Sequence, residues 1–94
     1  MTLEDIISIV CEELGLTQTQ IMSQSRIQKY VEARFILFDV LTWQGYPQKA
    51  ITEYLGKDRS TVTYGINRLA DWIQYDKKLN TKYQLIRARI DGKG

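Results

Sequence analysis

Ninety-four residues, 44% hydrophobic and 26% charged with a formal net charge of +2, fit one small globular domain with a core of its own. One cysteine and no histidine exclude an internal disulfide, Ser-His-Asp and Cys-His catalysis, and zinc sites that need imidazole or several thiolates, so neither metal nor cofactor is expected. One proline and six glycines argue against disorder, no apolar run nears the roughly 20 residues of a membrane helix, and the early acids Glu4 and Asp5 do not suit a signal peptide, so a soluble cytoplasmic domain is expected.

The elements are helical throughout. Leu3, Ile6, Ile7, Val10, Cys11 and Leu14 form one apolar stripe at helical spacing, with Thr2 and Asp5 as the cap and Gly15 as the stop. A short helical turn is expected from Thr17 to Met22. Ser25 with Gln28 three residues on reads as a capping box for a third helix running to about Trp43. Its middle (Phe35, Ile36, Leu37, Phe38) is apolar nearly all round, which predicts the central, most buried element. Gln44-Gly45-Tyr46-Pro47 ends that helix and opens a short one, with Ala50, Ile51, Tyr54 and Leu55 inward and Gly56 as its breaker. Asp58 caps the next helix, whose inner stripe is Val62, Ile66, Leu69 and Ile73. A break near Asp76 to Asn80 then precedes a last helix with Tyr83, Ile86 and Ile90 on one face. No stretch alternates with period two long enough for a strand. The expected fold is all-α, a five- or six-helix single domain over residues 1–94, with Gly92-Lys93-Gly94 as a loose tail.

The functional reading rests on Tyr46 to Asn67, inside a helix-turn-helix expected over about residues 47–75: a short helix, the polar turn Gly56-Lys57-Asp58, and a second amphipathic helix. At about 100° per residue, Val62, Ile66, Leu69 and Ile73 cluster on one side of the second helix. Ser60, Tyr64, Asn67 and Asp71 fall opposite, flanked by Thr61, Thr63 and Arg68. This face offers hydroxyls, an amide, a phenol and cations to base edges and phosphates, and the helix N-terminus adds free N–H groups. Gly65 costs a helix interior up to about 1 kcal/mol against alanine; close approach of the preceding helix, on the side of Val62 and Ile66, is one reason for it. Helix pairs with a glycine turn also occur in domains with no nucleic-acid role, so the pattern alone leaves both readings open.

Charge points the same way. Residues 1–25 carry four acids (Glu4, Asp5, Glu12, Glu13) and no Lys or Arg, so all 13 cations follow. A basic body with an acidic end fits a polyanion partner on one side, although ordinary domains share such asymmetry.

The run Gly56-Lys57-Asp58-Arg59-Ser60-Thr61-Val62 resembles the Gly-Gly-Arg-Asp-His-Thr-Thr-Val signature of the C-terminal DNA-binding domain of the bacterial replication initiator DnaA. Ile51-Thr52-Glu53-Tyr54-Leu55-Gly56 is similar to that family's Ile-Gly-x-x-Phe-Gly. Val31-Glu32-Ala33-Arg34 before an apolar helix resembles its central helix, and Ile21-Met22-Ser23-Gln24-Ser25-Arg26 its basic loop. The likeness runs from about Thr2 to Ile90. It implies a DnaA C-terminal or Trp-repressor-like fold in a replication-initiator or regulatory setting. It further implies that Lys57, Asp58, Arg59, Ser60 and Thr61 read bases in the major groove and that Arg26 enters the minor groove. Arg34, Pro47, Gln48 and Lys49 would lie along the phosphates. To these the helical wheel adds Tyr64 as a base reader and Thr63, Asn67 and Arg68 as phosphate contacts.

The departures are specific. Arg59 stands where the family has histidine and Lys57 where it has arginine, while Gln24 and Ser25 replace two cations of the basic loop. Arginine at a base edge favours bidentate contact with guanine, whereas lysine is a point charge. A binding sequence different from the initiator's is therefore expected. The chain has no G-x-x-x-x-G-K-[ST] phosphate loop, so it resembles the domain without the initiator's ATPase. It reads either as a free-standing relative or as a piece of a longer protein.

Cys11, on the first apolar stripe, reads as a small hydrophobe rather than a nucleophile. Tyr30, Tyr54, Tyr83 and Trp72 fall near apolar stripes and read as core, leaving Tyr64 and Tyr46 as interface candidates. Glu4, Asp5, Glu12 and Glu13 read as a solvated face, and Lys77, Lys78 and Lys82 as backbone contacts or solubilising groups. No clustered acid-base pair supports an enzyme, and no small-molecule substrate or membrane partner is expected. The expected function is sequence-specific double-stranded DNA binding. The alternative is a protein-interaction module acting on a replication protein, with the acidic face of the first helix as its pointer.

Overall fold

A computed structural model describes residues 1–92 and contains six helices: α1 (Leu3–Leu14), α2 (Gln18–Met22), α3 (Gln28–Trp43), α4 (Gln48–Leu55), α5 (Arg59–Tyr75) and α6 (Lys77–Gly92). No strand occurs among the described residues. The arrangement follows from α3. Seven of its residues, Ala33, Phe35, Ile36, Leu37, Phe38, Val40 and Leu41, are buried, so no face of its middle can look to water and other helices must surround it. α1 and α5 pack most extensively against it, α2 and α4 complete the coat, and α6 closes the back against α1 and α5. No described helix is long and apolar enough to cross a membrane.

Local chemistry sets most boundaries. Thr2 and Asp5 form a reciprocal capping box, each backbone N–H donating to the other's side-chain oxygen at 3.1 Å. Hydrogen bonding from Thr2 to the carboxylate, backbone N–H first and side chain second, holds Asp5 below its ordinary pKa. Thr17 and Gln20 repeat the motif on α2. Gly15 and Gly56 close α1 and α4 in the left-handed conformation, at φ 66° and 64°.

Three boundaries differ from the sequence reading. α3 is capped by Ile27 without a side-chain bond, not by a Ser25–Gln28 box. The Ser25 hydroxyl instead accepts the Ile27 N–H within the loop, and Gln28 donates to Glu32. The break expected over Asp76 to Asn80 shrinks to Asp76, whose carboxylate accepts the Leu79 N–H at 3.0 Å and so starts α6 at once. Gly92 belongs to α6 rather than to a loose tail; Lys93 and Gly94 lie outside the described residues.

The acids of α1 are also more than a solvated face. Arg89 on α6 pairs with Glu12 at 2.8 Å and Glu13 at 3.2 Å, joining the two helices across 77 and 76 residues of sequence. Cys11 is half-buried against the core, and loss of water raises its thiol pKa, as suits a packing residue. Tyr83 is buried and donates its hydroxyl to Asp39; burial, first of all, pushes the phenol pKa up. Tyr46 donates its hydroxyl to the Met1 carbonyl at 2.7 Å and so ties down the N-terminus.

Candidate nucleic-acid interface

The turn between α4 and α5 is held from both sides. After Gly56 turns left-handed, the Lys57 N–H donates back to the Thr52 carbonyl at 3.1 Å, which closes α4. The Asp58 carboxylate then accepts the Thr61 N–H at 2.7 Å and starts α5; hydrogen bonding to Thr61, side chain first and backbone second, holds the Asp58 pKa down. One oxygen of Asp58 is therefore a helix cap. The outer face of the first three turns of α5 stands at the surface: Arg59, Ser60, Thr63, Tyr64, Asn67 and Arg68 are exposed and Thr61 half-buried.

The seam of α5 is Val62, Gly65 and Leu69, with Ile66, Trp72 and Ile73 partly buried beside it. Gly65 faces α3, not the preceding helix. A Cβ there would sit 2.7 Å from Phe35 Cδ1 and 2.8 Å from Phe38 Cδ2, closer than ordinary carbon contact. Phe35 in turn stacks on Trp72 at 5.4 Å and meets Tyr64 edge-on at 6.1 Å. The exposed phenol of Tyr64 is thus set by a ring of the central helix.

Between the α2–α3 loop and the start of α5 lies a cleft of about 450 Å³. Val31, Phe35 and Phe38 line its apolar part; Arg26, Arg34, Lys57, Ser60, Thr61 and Tyr64 supply its polar groups. The structure therefore brings Arg26, from the loop, to the same cleft as Lys57, Ser60, Thr61 and Tyr64, whereas Arg59 lines a separate hollow with Gln48, Lys49 and Thr52. Arg34 is engaged within the loop itself. Its guanidinium donates to the carbonyls of Ser23 at 2.9 Å and Tyr30 at 3.3 Å, and to that of Ser25. Partial burial lowers its pKa from the ordinary arginine value. Arg34 ties down the two residues that flank Gln24 and the backbone leading directly into Arg26.

The remaining candidates spread along α4 and the outer face of α5. Pro47 caps α4, and Lys49 is exposed in its first turn. Gln48 reaches α5: its Oε1 accepts from Arg59 Nε at 2.8 Å and its Nε2 donates to Thr63 Oγ1 at 3.0 Å. Arg68 lies over the Trp72 ring at 5.6 Å. The sequence reading missed the two arginine arrangements, the Arg34 loop clamp and the Gln48–Arg59 bond. The unusual Arg59 was the only visible sign of the second.

A family model for the bacterial DnaA protein helix-turn-helix matches residues 3–69, from the start of α1 to the buried Leu69 of α5. The chain belongs to the bacterial DnaA helix-turn-helix family. It is 36% identical over its whole length to a chromosomal replication initiator protein DnaA from Campylobacter concisus. It is 35% identical to that of Campylobacter curvus, again over its whole length, and 33% to that of Campylobacter fetus over 99% of the chain. The chain spans about a fifth, 22%, of the length of these DnaA relatives. Among the DnaA-type elements, α1 to α4 and the first part of α5 fall inside the family match, and α6 lies beyond it.

Proposed function

We propose that this domain binds double-stranded DNA sequence-specifically, in a replication-initiator or regulatory setting. The start of α5 enters the major groove and Arg26 enters the adjacent minor groove. The observation that carries this reading is the shared cleft: the loop arginine and the exposed first turns of α5 border one surface. Lys57, Asp58, Arg59, Ser60, Thr61 and Tyr64 are the base-edge groups. Pro47, Gln48, Lys49, Thr63, Asn67 and Arg68 flank them where the duplex backbone would run, with Arg34 behind the loop. Hydroxyls and cations are the groups that bind phosphate and base acceptors.

The alternative, a protein-interaction module, draws less support. Its pointer was the acidic face of α1, and there Glu12 and Glu13 pair with Arg89 while Asp5 caps its own helix.

Selection from a random duplex library, followed by fluorescence anisotropy of the selected duplex against a scrambled one at several salt concentrations, tests the proposal. A consensus bound about a thousandfold more tightly than the scramble is the expected result. Sequence-blind binding that salt abolishes would overturn it and return the protein-partner reading to the front.

A further inference from the structure

Resting on that DNA reading, we infer that Gln48 is a positioning residue for Arg59. In this reading the pair, rather than Arg59 alone, sets a preference for guanine at one step of the bound sequence. Gln48 is the first residue of α4 and Arg59 the first of α5, so the fold brings two helix starts together at the interface. Arginine has donors only, so the amide oxygen of Gln48 must face it, as the 2.8 Å bond from Arg59 Nε requires. The opposite end of the amide donates to Thr63 Oγ1 at 3.0 Å, one turn along α5. Gln48 is thereby held at both ends by the same face of the recognition helix, and its amide cannot turn over without losing the bond from Arg59.

The consequence falls on the guanidinium. With Nε occupied, the edge left for a partner is the Nη1–Nη2 pair. Two parallel N–H groups match the O6 and N7 acceptors of guanine, the only base with two adjacent major-groove acceptors. An arginine already held in place also has less rotamer freedom to lose on binding. Histidine, which the family signature carries at this position, has no such fork. Gln48 and Thr63, separately assigned to phosphate, thus form one network with a base reader.

The test measures anisotropy of the full chain on the selected duplex, and on duplexes with adenine or 7-deazaguanine replacing each guanine in turn. The unmodified protein is expected to favour guanine over adenine at one position by roughly 5- to 150-fold. It should lose most of that preference with 7-deazaguanine, which lacks N7. Arg59→Ala should abolish the preference. Gln48→Ala should cut it by at least about threefold, weakening the guanine duplex more than the adenine one; Gln48→Glu keeps an acceptor on Arg59 and should restore it. Equal weakening on both duplexes by Gln48→Ala, with the salt slope reduced by about 1, marks a phosphate contact and overturns the inference. An unchanged preference in Gln48→Ala, or no recovery in Gln48→Glu, also overturns it. If Arg59→Ala itself leaves every guanine preference intact, the recognition-helix reading fails, which separates that failure from the failure of the Gln48 role alone.

Discussion

Gly65 on α5 lies against Phe38 on α3 so closely that a methyl group added to the glycine would stand 2.8 Å from the ring. The Phe35 ring is just as near on the other side of the same gap. Alanine would improve helix propensity by up to about 1 kcal/mol, but overpacking a filled core costs about 1–3 kcal/mol. Gly65→Ala should therefore lower stability by a net of about 1 kcal/mol, read as a reduced urea midpoint at unchanged m-value. Because Phe35 also touches Tyr64 and Trp72, the variant should bind DNA more weakly too. A variant as stable as its parent would mean that the rings yield freely.

The same contact shows where sequence reasoning stopped. Gly65 is visibly out of place in a helix, yet the preceding helix expected against it gives way to α3, because which helix crosses α5 at that point is set by packing. Features fixed within four residues were legible: Thr2 and Asp5 at the start of α1, Gly56 at the end of α4, Asp58 at the start of α5. Short-range signals failed where another element intervened. The Ser25 carbonyl accepts from Arg34 and its hydroxyl from Ile27, so no capping box forms on α3. Asp76 alone suffices to start α6, so five apparent breaker residues become one. Arg89 meets Glu12 and Glu13, and Arg59 meets Gln48, only because separate helices lie side by side. The order of the site residues could be read from a family resemblance; their mutual hydrogen bonds could not.

Asp58 gives α5 a pH-dependent start. Hydrogen bonding to Thr61, side chain first and backbone second, depresses the carboxyl pKa below the ordinary 3.8 in the folded state. The stabilisation it provides is then full above the unfolded value and lost as pH falls through the folded one. Thermal unfolding from pH 7 to pH 2 should show a fall in Tm beginning near the ordinary value. Asp58→Asn keeps an acceptor for Thr61 but cannot ionise, so it should flatten part of that fall. Asp5, depressed by Thr2, supplies another part that the variant retains. Identical acid profiles for the two proteins would remove Asp58 from this role.

Arg34 and Arg26 should behave as one unit. Arg34 holds the carbonyls of Ser23 and Ser25 immediately before Arg26, so without it the minor-groove side chain loses a defined starting point. Arg26→Ala and Arg34→Ala should each weaken binding to the selected duplex by about tenfold. The double variant should be little worse than either, a coupling of about 1 kcal/mol in a double-mutant cycle. Losses that simply add would mean that Arg34 contacts phosphate independently. Circular dichroism on Arg34→Ala separates a loosened loop from a lost fold, since α2 keeps its Thr17–Gln20 capping box and α3 its core contacts.

Lys49 offers the opposite behaviour to Arg59. It is exposed in the first turn of α4, and in the proposed complex it touches backbone rather than bases. Each phosphate neutralised releases about 0.9 of a counterion from the duplex, and the slope of log affinity against log salt counts those contacts. Lys49→Ala should therefore weaken selected and scrambled duplexes by the same factor and make the slope shallower by about 1, leaving the consensus untouched. Arg59→Ala should change the consensus. If Lys49→Ala shifts base preference instead, α4 lies deeper in the groove than its partly solvated position implies, and the division of labour between the two helices has to be redrawn.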